Sequence, residues 1–239
     1  MFPFEAQRVS SYGQAMFQGA VFLRPATGDR VEKPAATVFV VDDDSTVRKA
    51  LARLFRSLGM QVETFASARE FLTGGRPDGP ACLILDVRLL GENGLLVHQS
   101  LQTAPCYPPV IFLTGHGTIP MAVQAMKAGA IDFLQKPIDE DALLAAVATA
   151  LEQDKRLRDH QRNAAALQQR VATLTPRERE VMALVITGLL NKEIACALGT
   201  SEKTIKAHRS RIKAKMQALS LAELVRMAAI VGIGEPQSA

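Results

Sequence analysis

What the sequence contains little of already limits its class. Its 239 residues include three cysteines, Cys82, Cys106 and Cys196. They are not spaced like metal ligands, and their odd number argues against a disulfide framework. No apolar run is long enough to span a bilayer, and no segment resembles a secretory signal with a cleavage site. We therefore predict a cytoplasmic protein with no membrane association.

The composition is that of an ordinary globular protein, but its charge is unevenly distributed. Apolar residues make up 48% and charged residues 22% of the chain, and the net charge is +4. When lysine and arginine are counted against aspartate and glutamate, residues 36–150 carry a net charge of −3 and residues 173–239 carry +4. The length suggests one large domain or two modest ones. If the protein binds nucleic acid, we expect the basic C-terminal part to do so.

The hydrophobic pattern changes near residue 36. Residues 1–35 lack a sustained period and are interrupted by prolines and glycines, so we interpret them as a poorly ordered N-terminal extension. After them, five short apolar segments alternate with amphipathic helices. The predicted strands are Thr37–Val41, Gln61–Thr64, Cys82–Leu85, Val110–Thr114 and Ile131–Leu134. This alternation predicts a doubly wound α/β domain with a five-stranded parallel sheet over residues 36–150.

The last helix of this domain has no stop signal, because neither glycine nor proline occurs between Asp139 and Thr175. We predict that it continues as a linker helix over residues 151–172; its sparse apolar stripe leaves a broken, flexible linker as the alternative. A capping box from Thr175 to Glu178 then begins the first of four short helices. These helices predict a small all-α domain over residues 173–239.

Acidic side chains follow two of the predicted strands. The strand Cys82–Leu85 ends at Asp86, and Asp42 and Asp43 follow the first strand. The carboxyl ends of parallel strands meet at one edge of a sheet, where these carboxylates would repel one another unless a cation lay among them. All-oxygen ligation suits Mg²⁺ better than zinc. Taken alone, Asp86 is equally well explained as a cap of the following turn.

Two further side chains favour a reactive site. Thr114 ends the fourth strand and Lys136 follows the fifth, so both are expected at the same edge as Asp86. The lysine supplies a positive charge for Asp86 or for a phosphoryl oxygen, and the threonine supplies a hydroxyl. An aspartate beside Mg²⁺ with these neighbours is equipped to accept a phosphoryl group as an aspartyl phosphate.

The motifs VVDDD, LILDVRLLGENG and FLTGHGTIPMAVQAMKAGAIDFLQKPI, at their spacing, resemble the receiver domain of bacterial two-component response regulators. The resemblance implies a flavodoxin-like fold and a set of residue roles. These are Mg²⁺ ligation by Asp42, Asp43, Asp86 and the backbone carbonyl of Arg88, phosphorylation of Asp86, charge pairing by Lys136, and switching by Thr114 and Phe133. The family usually has proline where this chain has Leu90, but Leu90 supplies no reacting group.

An enzyme is the alternative from another class, because aspartate nucleophiles with Mg²⁺ also serve phosphatases. Those phosphatases carry a second carboxylate two residues after the nucleophile, where this chain has Arg88. We therefore favour a protein that is not an enzyme. A degenerate receiver that is never phosphorylated is a further alternative. His98 and His116 are interpreted as surface or turn residues rather than ligands.

The segment Ser201–Met216 is strongly basic and is predicted to be the second helix of a helix-turn-helix. At 100° per residue, Ile205, Ile212 and Met216 share a core face. The residues predicted to face DNA are Lys203, Lys206, Ala207 and Ser210 opposite the core face, with Arg211 and Lys213 on the flanks. Small residues among lysines let a helix approach a groove while the cations reach phosphates and base edges. A solvated charged face is the alternative.

The stretch LTPREREVMALVITGLLNKEIACALGTSEKTIKAHRSRIKAKM resembles the LuxR-type domain of the NarL/FixJ response regulators, and the whole chain resembles their FixJ/StyR branch. The resemblance implies that Lys206, Ala207 and Ser210 face the bases. It also implies a sensor histidine kinase, promoter DNA with an inverted repeat and a phosphorylation-dependent homodimer as partners, with RNA polymerase as a candidate. The rival hypothesis is a phospho-dependent protein-interaction module without specific DNA binding.

Overall fold

The computed structural model describes residues 36–74, 77, 79–102 and 107–233. The predicted extension at 1–35 and Cys106 lie outside the described residues. These described residues form two compact units, divided between Leu157 and Arg158. In the part of the chain that the structure describes, no helix has the length and apolar character needed to cross a membrane.

In the first unit, the strands of a parallel sheet alternate along the sequence with helices. Its strands are β1 (Thr37–Val41), β2 (Gln61–Phe65), β3 (Ala81–Asp86), β4 (Arg88–Leu89), β5 (Glu92–Asn93), β6 (Val110–Thr114) and β7 (Asp132–Gln135). Its helices are α1 (Ser45–Ser57), α2 (Ala68–Thr73), α3 (Gly94–Leu101), α4 (Ile119–Lys127) and the start of α5 (Glu140–Ala172). The large sheet has the order β2-β1-β3-β6-β7 with every pair parallel, which confirms the predicted five-stranded α/β fold.

Strand β3 lies at the centre of this sheet and is buried along its whole length. Alternate side chains enter two separate cores: Leu83 and Leu85 pack into one, and Cys82 and Ile84 pack into the other. A strand covered on both faces has to be apolar throughout, which explains the uninterrupted run before Asp86. The register pairs Asp86 with Leu113 of β6, so the carboxylate and the end of β6 lie side by side.

A small antiparallel hairpin that the sequence analysis did not predict follows Asp86. It consists of β4 and β5, each two residues long, and Gly91 in its turn has a φ of +80°. A φ in this region suits glycine, whereas two-residue strands are too short to leave a hydrophobic period. Leu90, at the position where the family usually has proline, is 85% exposed in this turn.

The interpretation of His98 as a surface or turn residue is wrong. His98 is fully buried in α3, where its ring meets Phe112 edge-on at a centroid distance of 5.4 Å. It lies three residues after Leu95 and three before Leu101, and both are also buried. The helical period therefore places it on the core face. Burial lowers the pKa of His98, so the imidazole is a neutral core residue.

Helix α5 is continuous from Glu140 to Ala172, so the interpretation as a broken linker is wrong. Its first turns cover the sheet with Leu143 and Val147, which are fully buried. Further along, the buried carboxylate of Asp154 accepts a hydrogen bond of 2.8 Å from the Ala81 amide at the start of β3. The helix is thus attached to the central strand at the end opposite to Asp86.

The second unit contains the end of α5 and four short helices, as predicted. They are α6 (Pro176–Ile186), α7 (Asn191–Ala197), α8 (Glu202–Met216) and α9 (Leu221–Ile230). Ser201 accepts a hydrogen bond from the Thr204 amide at the start of α8, and Ser220 accepts one from the Glu223 amide at the start of α9. Ile205, Ile212 and the other buried apolar side chains form one core.

Candidate phosphoacceptor site and DNA-binding surface

Three carboxylates converge where β1 and β3 end. Asp42, Asp43 and Asp86 each offer an oxygen, and these oxygens lie within 4.8 Å of one another. Asp42 is 1% exposed and Asp86 is 6% exposed. Carboxylates this deeply buried are costly unless a positive charge or hydrogen-bond donors accompany them.

Lys136 supplies that positive charge. Its Nζ lies 2.7 Å from Asp42 Oδ2 and 2.7 Å from Asp86 Oδ2, so the ammonium group bridges two of the acids. The remaining oxygens accept backbone hydrogen bonds: Asp42 Oδ1 from Asp44 at 2.9 Å, and Asp86 Oδ1 from Arg88 at 3.0 Å. Arg88 is thus brought next to the site by its amide.

Burial determines the protonation behaviour of the cluster. Burial raises the pKa of Asp42, although Lys136 and the Asp44 amide act in the opposite direction. Burial would lower the pKa of Lys136, but its hydrogen bonds to Asp42 and Asp86 outweigh this effect and raise the pKa. Lys136 therefore stays charged at neutral pH.

The donor set fits a hard divalent cation. Two neighbouring carboxylates from the end of β1 and one from β3 present oxygens to a common point, while one lysine balances part of their negative charge. Oxygen ligands without histidine or cysteine are those that Mg²⁺ prefers. Burial raises the pKa of Asp42 because it disfavours the charged carboxylate, and a cation among these oxygens would offset that cost.

Thr114 and Phe133 lie together beside this cluster. Thr114 is fully buried at the end of β6, and its Oγ1 accepts a hydrogen bond of 3.2 Å from the His116 amide. A Cβ added to Gly117 would lie 2.9 Å from Phe133 Cε1 and 3.0 Å from Thr114 Cγ2. The threonine and the half-buried phenylalanine therefore both lie against Gly117 and are close to each other.

Two positioning glycines are not identified by the sequence analysis. A Cβ added to Gly94, the first residue of α3, would meet the carbonyl oxygen of Asp86. A side chain at Gly94 would therefore displace the strand end that carries Asp86. A side chain at Gly117 would likewise displace Thr114 or Phe133. Glycine, which has no Cβ, is the residue that permits such a close approach of neighbouring atoms.

The second unit presents a basic surface on α8. Ile205, Ile212 and Met216 are fully buried, as the helical wheel predicts. All six residues predicted to face DNA are exposed: Lys203, Lys206, Ala207, Ser210, Arg211 and Lys213. Helix α7, the Gly199 turn with a φ of +60° and α8 form the predicted helix-turn-helix.

An ion pair between a half-buried lysine and a buried glutamate joins α8 to α6. The Nζ of Lys215 lies 2.6 Å from Glu178 Oε2, and the Glu178 side chain is 4% exposed. The same carboxylate accepts a hydrogen bond of 2.9 Å from the Thr175 amide and so completes the capping box of α6. The Lys215 hydrogen bond, followed by that of the Thr175 amide, lowers the pKa of Glu178 to about 2.

We expect Glu178→Gln to lower the unfolding free energy of the protein at neutral pH by about 1–3 kcal/mol, because Lys215 loses the buried negative charge with which it pairs. The folded carboxyl titrates near 2 and the unfolded one near 4.5. Its stabilising contribution is therefore present above pH 4.5 and is lost as the pH falls towards 2. Thermal unfolding at pH 7 and at about pH 3 should show the difference between wild type and variant shrinking in acid.

Glu180→Gln is the matched control, since Glu180 pairs with Arg177 at 2.7 Å but is 54% exposed. An exposed pair contributes little to stability, so this variant should unfold like wild type. Equal effects of the two substitutions would contradict a special role for Glu178.

The chain thus combines an acidic cluster with a lysine at the edge of a doubly wound sheet and a helix-turn-helix. The model of the response regulator receiver domain matches residues 38–148, and the model of bacterial regulatory proteins of the luxR family matches residues 172–228. The chain therefore belongs to the two-component response regulators that carry a LuxR-type DNA-binding domain.

Individual relatives match both parts together. Nodulation protein W of Bradyrhizobium diazoefficiens is 50% identical, over 83% of this chain and 87% of that protein. Transcriptional regulatory protein FixJ of Azorhizobium caulinodans is 41% identical, over 84% of this chain and 96% of that protein. The solved structure of response regulator StyR is 45% identical with a TM-score of 0.74, and the match covers 82% of this chain and 98% of StyR. These relatives support the DNA-binding interpretation over the phosphatase and the protein-interaction module.

Proposed function

We propose that this protein is a transcription regulator that is switched by phosphorylation of Asp86. The main support is the position of the Asp86 carboxylate, which lies 2.7 Å from Lys136 Nζ and close to Asp42 and Asp43. We infer that residues 36–150 act as the receiver, residues 151–172 as the linker helix and residues 173–239 as the DNA-binding domain. The ranges matched by the two family models support this division. Because promoter DNA lies in the bacterial cytoplasm, we expect the protein to act there.

The chemistry follows from the arrangement around Asp86. Asp42, Asp43, Asp86 and the backbone carbonyl of Arg88 would hold Mg²⁺, which when bound neutralises phosphoryl oxygens. A carboxylate oxygen of Asp86 attacks the phosphorus, and the bond from phosphorus to the imidazole of a sensor histidine kinase breaks. Lys136, which pairs with Asp86 before the transfer, then pairs with a phosphoryl oxygen. The phosphoryl group stays on the regulator, so the regulator is not itself an enzyme with a released product.

The switch is carried by Thr114 and Phe133. A phosphoryl oxygen on Asp86 draws the Thr114 hydroxyl towards it and away from the His116 amide, from which that hydroxyl accepts a hydrogen bond. The space that Thr114 leaves is open to the half-buried Phe133, since both side chains contact Gly117. This change reaches the surface formed by α4, β7 and the start of α5.

We infer that this surface forms a homodimer. Helix α4 carries exposed apolar side chains, with Ile119 82%, Val123 46% and Met126 48% exposed. Apolar side chains grouped on one helix favour association. A two-fold dimer places two α8 helices on the half-sites of an inverted repeat. Contact with RNA polymerase stays a prediction.

A footprint on upstream DNA tests the proposed function directly. With Mg²⁺ and acetyl phosphate, the full chain should protect an inverted repeat at a lower protein concentration than without acetyl phosphate. The physical reason is that dimerisation couples two half-site contacts in one binding event. A chain that becomes phosphorylated and protects no DNA would instead support the protein-interaction module.

Thr114→Ala should leave phosphorylation in place but uncouple it from dimerisation, because the variant lacks the hydroxyl that responds to the phosphoryl group. Sedimentation velocity with and without acetyl phosphate measures the shift from monomer to dimer. Thr118→Ala is the control, since Thr118 is exposed and its side chain makes no capping hydrogen bond at the start of α4. Dimerisation of phosphorylated Thr114→Ala at the wild-type concentration would contradict this switch.

A further inference from the structure

The cations of α8 do not all have the same surroundings. Lys203, Lys206, Arg211 and Lys213 are exposed. Arg209 is half-buried and lies four residues after Ile205 and three before Ile212, which are both fully buried. The helical period therefore places Arg209 at the edge of the core face and not on the surface that we propose for DNA.

Arg209 joins α8 to the helix before it. Its Nη1 donates a hydrogen bond of 3.1 Å to Oδ1 of Asn191, the first residue of α7. The other end of α7 is held by different groups: Arg177 donates to the Leu198 carbonyl, and the Gly199 turn connects α7 to α8. Helix α7 is only seven residues long, so contacts at its two ends add to the packing of its buried Ile194 in setting its orientation against α8.

We propose that Arg209 is a positioning residue for sequence recognition, which acts by fixing the angle between α7 and α8 through Asn191. This inference rests on the proposed DNA-binding surface of α8. Hydrogen bonds to base edges require a defined helix orientation, whereas attraction to phosphates tolerates small rotations. Arg209 is therefore needed for the preference among sequences and not for neutralising phosphates.

The test compares binding of full-length variants to the footprinted duplex and to a shuffled duplex over a range of salt concentrations. Arg209→Met should weaken binding to the footprinted duplex about tenfold, the effect of removing one good base contact, with little change on the shuffled duplex. The slope of log K against log salt concentration should stay at the wild-type value. Lys213→Met is the matched cation control. It should make this negative slope less steep by about 0.9, which is the contribution of one neutralised phosphate.

Variants of the acceptor show whether Arg209 acts through Asn191. Asn191→Ala should reproduce the effect of Arg209→Met, and the double variant should be no weaker than either single one. Asn191→Asp retains an acceptor for the guanidinium and should keep wild-type discrimination. Equally weakened binding to both duplexes with a lower salt slope would overturn the inference, because Arg209 would then be a phosphate contact.

The link between the two residues is also testable without DNA. A double-mutant cycle with Arg209→Met and Asn191→Ala, followed by thermal unfolding of the full chain, should show that the two substitutions are not additive. If wild type binds the footprinted and shuffled duplexes equally while this coupling is present, the proposed sequence-specific function is refuted, although Arg209 and Asn191 still interact. Additive effects in the cycle would overturn the inference even if the protein binds DNA.

Discussion

Asp86→Asn abolishes phosphorylation by acetyl phosphate in the presence of Mg²⁺, whereas wild type gains one hydroxylamine-labile phosphoryl group. This is the largest effect that we expect. An amide oxygen is a far weaker nucleophile than a carboxylate, and it carries no charge to pair with Lys136, which lies 2.7 Å from Asp86 in the wild type. Intact-mass spectrometry of the freshly treated protein measures the added phosphoryl group directly.

Two further substitutions separate the loss of the nucleophile from the loss of a metal ligand and from a general effect of replacing an aspartate. Asp43→Asn keeps the nucleophile but removes one of the three clustered carboxylates, so labelling should be slower by about two orders of magnitude as cation binding weakens. Asp141→Asn, at an exposed position on α5, should label like wild type. Undiminished labelling of Asp86→Asn would place the phosphoryl group elsewhere and would refute the assignment of the phosphoacceptor.

Lys206→Ala is expected to cost about 1–3 kcal/mol in binding to the specific duplex and to relax the preference at one base position in each half-site. Lys206 is exposed on α8, on the side away from the buried Ile205 and Ile212. Its side chain can therefore reach base edges in the major groove. Measurement of the binding constant on specific and random duplexes over a range of salt concentrations separates base contacts from phosphate contacts.

Arg211 and Lys213 provide the comparison, because both are exposed on the flanks of the same helix. Replacing either by alanine should weaken binding to all sequences similarly and reduce the salt slope by about one for each phosphate that the variant no longer neutralises. An equal effect of Lys206→Ala on specific and random duplexes would show that another face of α8 meets the bases.

Local pattern in the sequence was sufficient for the five-stranded sheet and for the faces of α8, though not for the short β4–β5 hairpin. The continuous apolar run before Asp86 predicts a strand buried on both faces, and β3 is buried throughout. The alternation of strands and helices predicts the parallel five-stranded sheet, which the order β2-β1-β3-β6-β7 confirms. The wheel of α8 separates buried Ile205 and Ile212 from exposed Lys206. For β3 and α8 the information lies within one element, where the period of side chains is fixed by backbone geometry, and for the sheet it lies in the order of neighbouring elements along the chain.

Specific contacts between distant residues were decided by the tertiary structure. The sequence places Lys136 and the acids at one edge of the sheet, but only the folded chain shows one ammonium group bridging Asp42 and Asp86, which lie 94 and 50 residues away. The same applies to Arg209, a cation in a basic run, whose partner is Asn191 on the preceding helix. A side chain's period gives the face that it occupies, whereas its partner depends on which other element packs there. The sequence by itself therefore determined the elements and their faces, and the packing of those elements decided which charges meet.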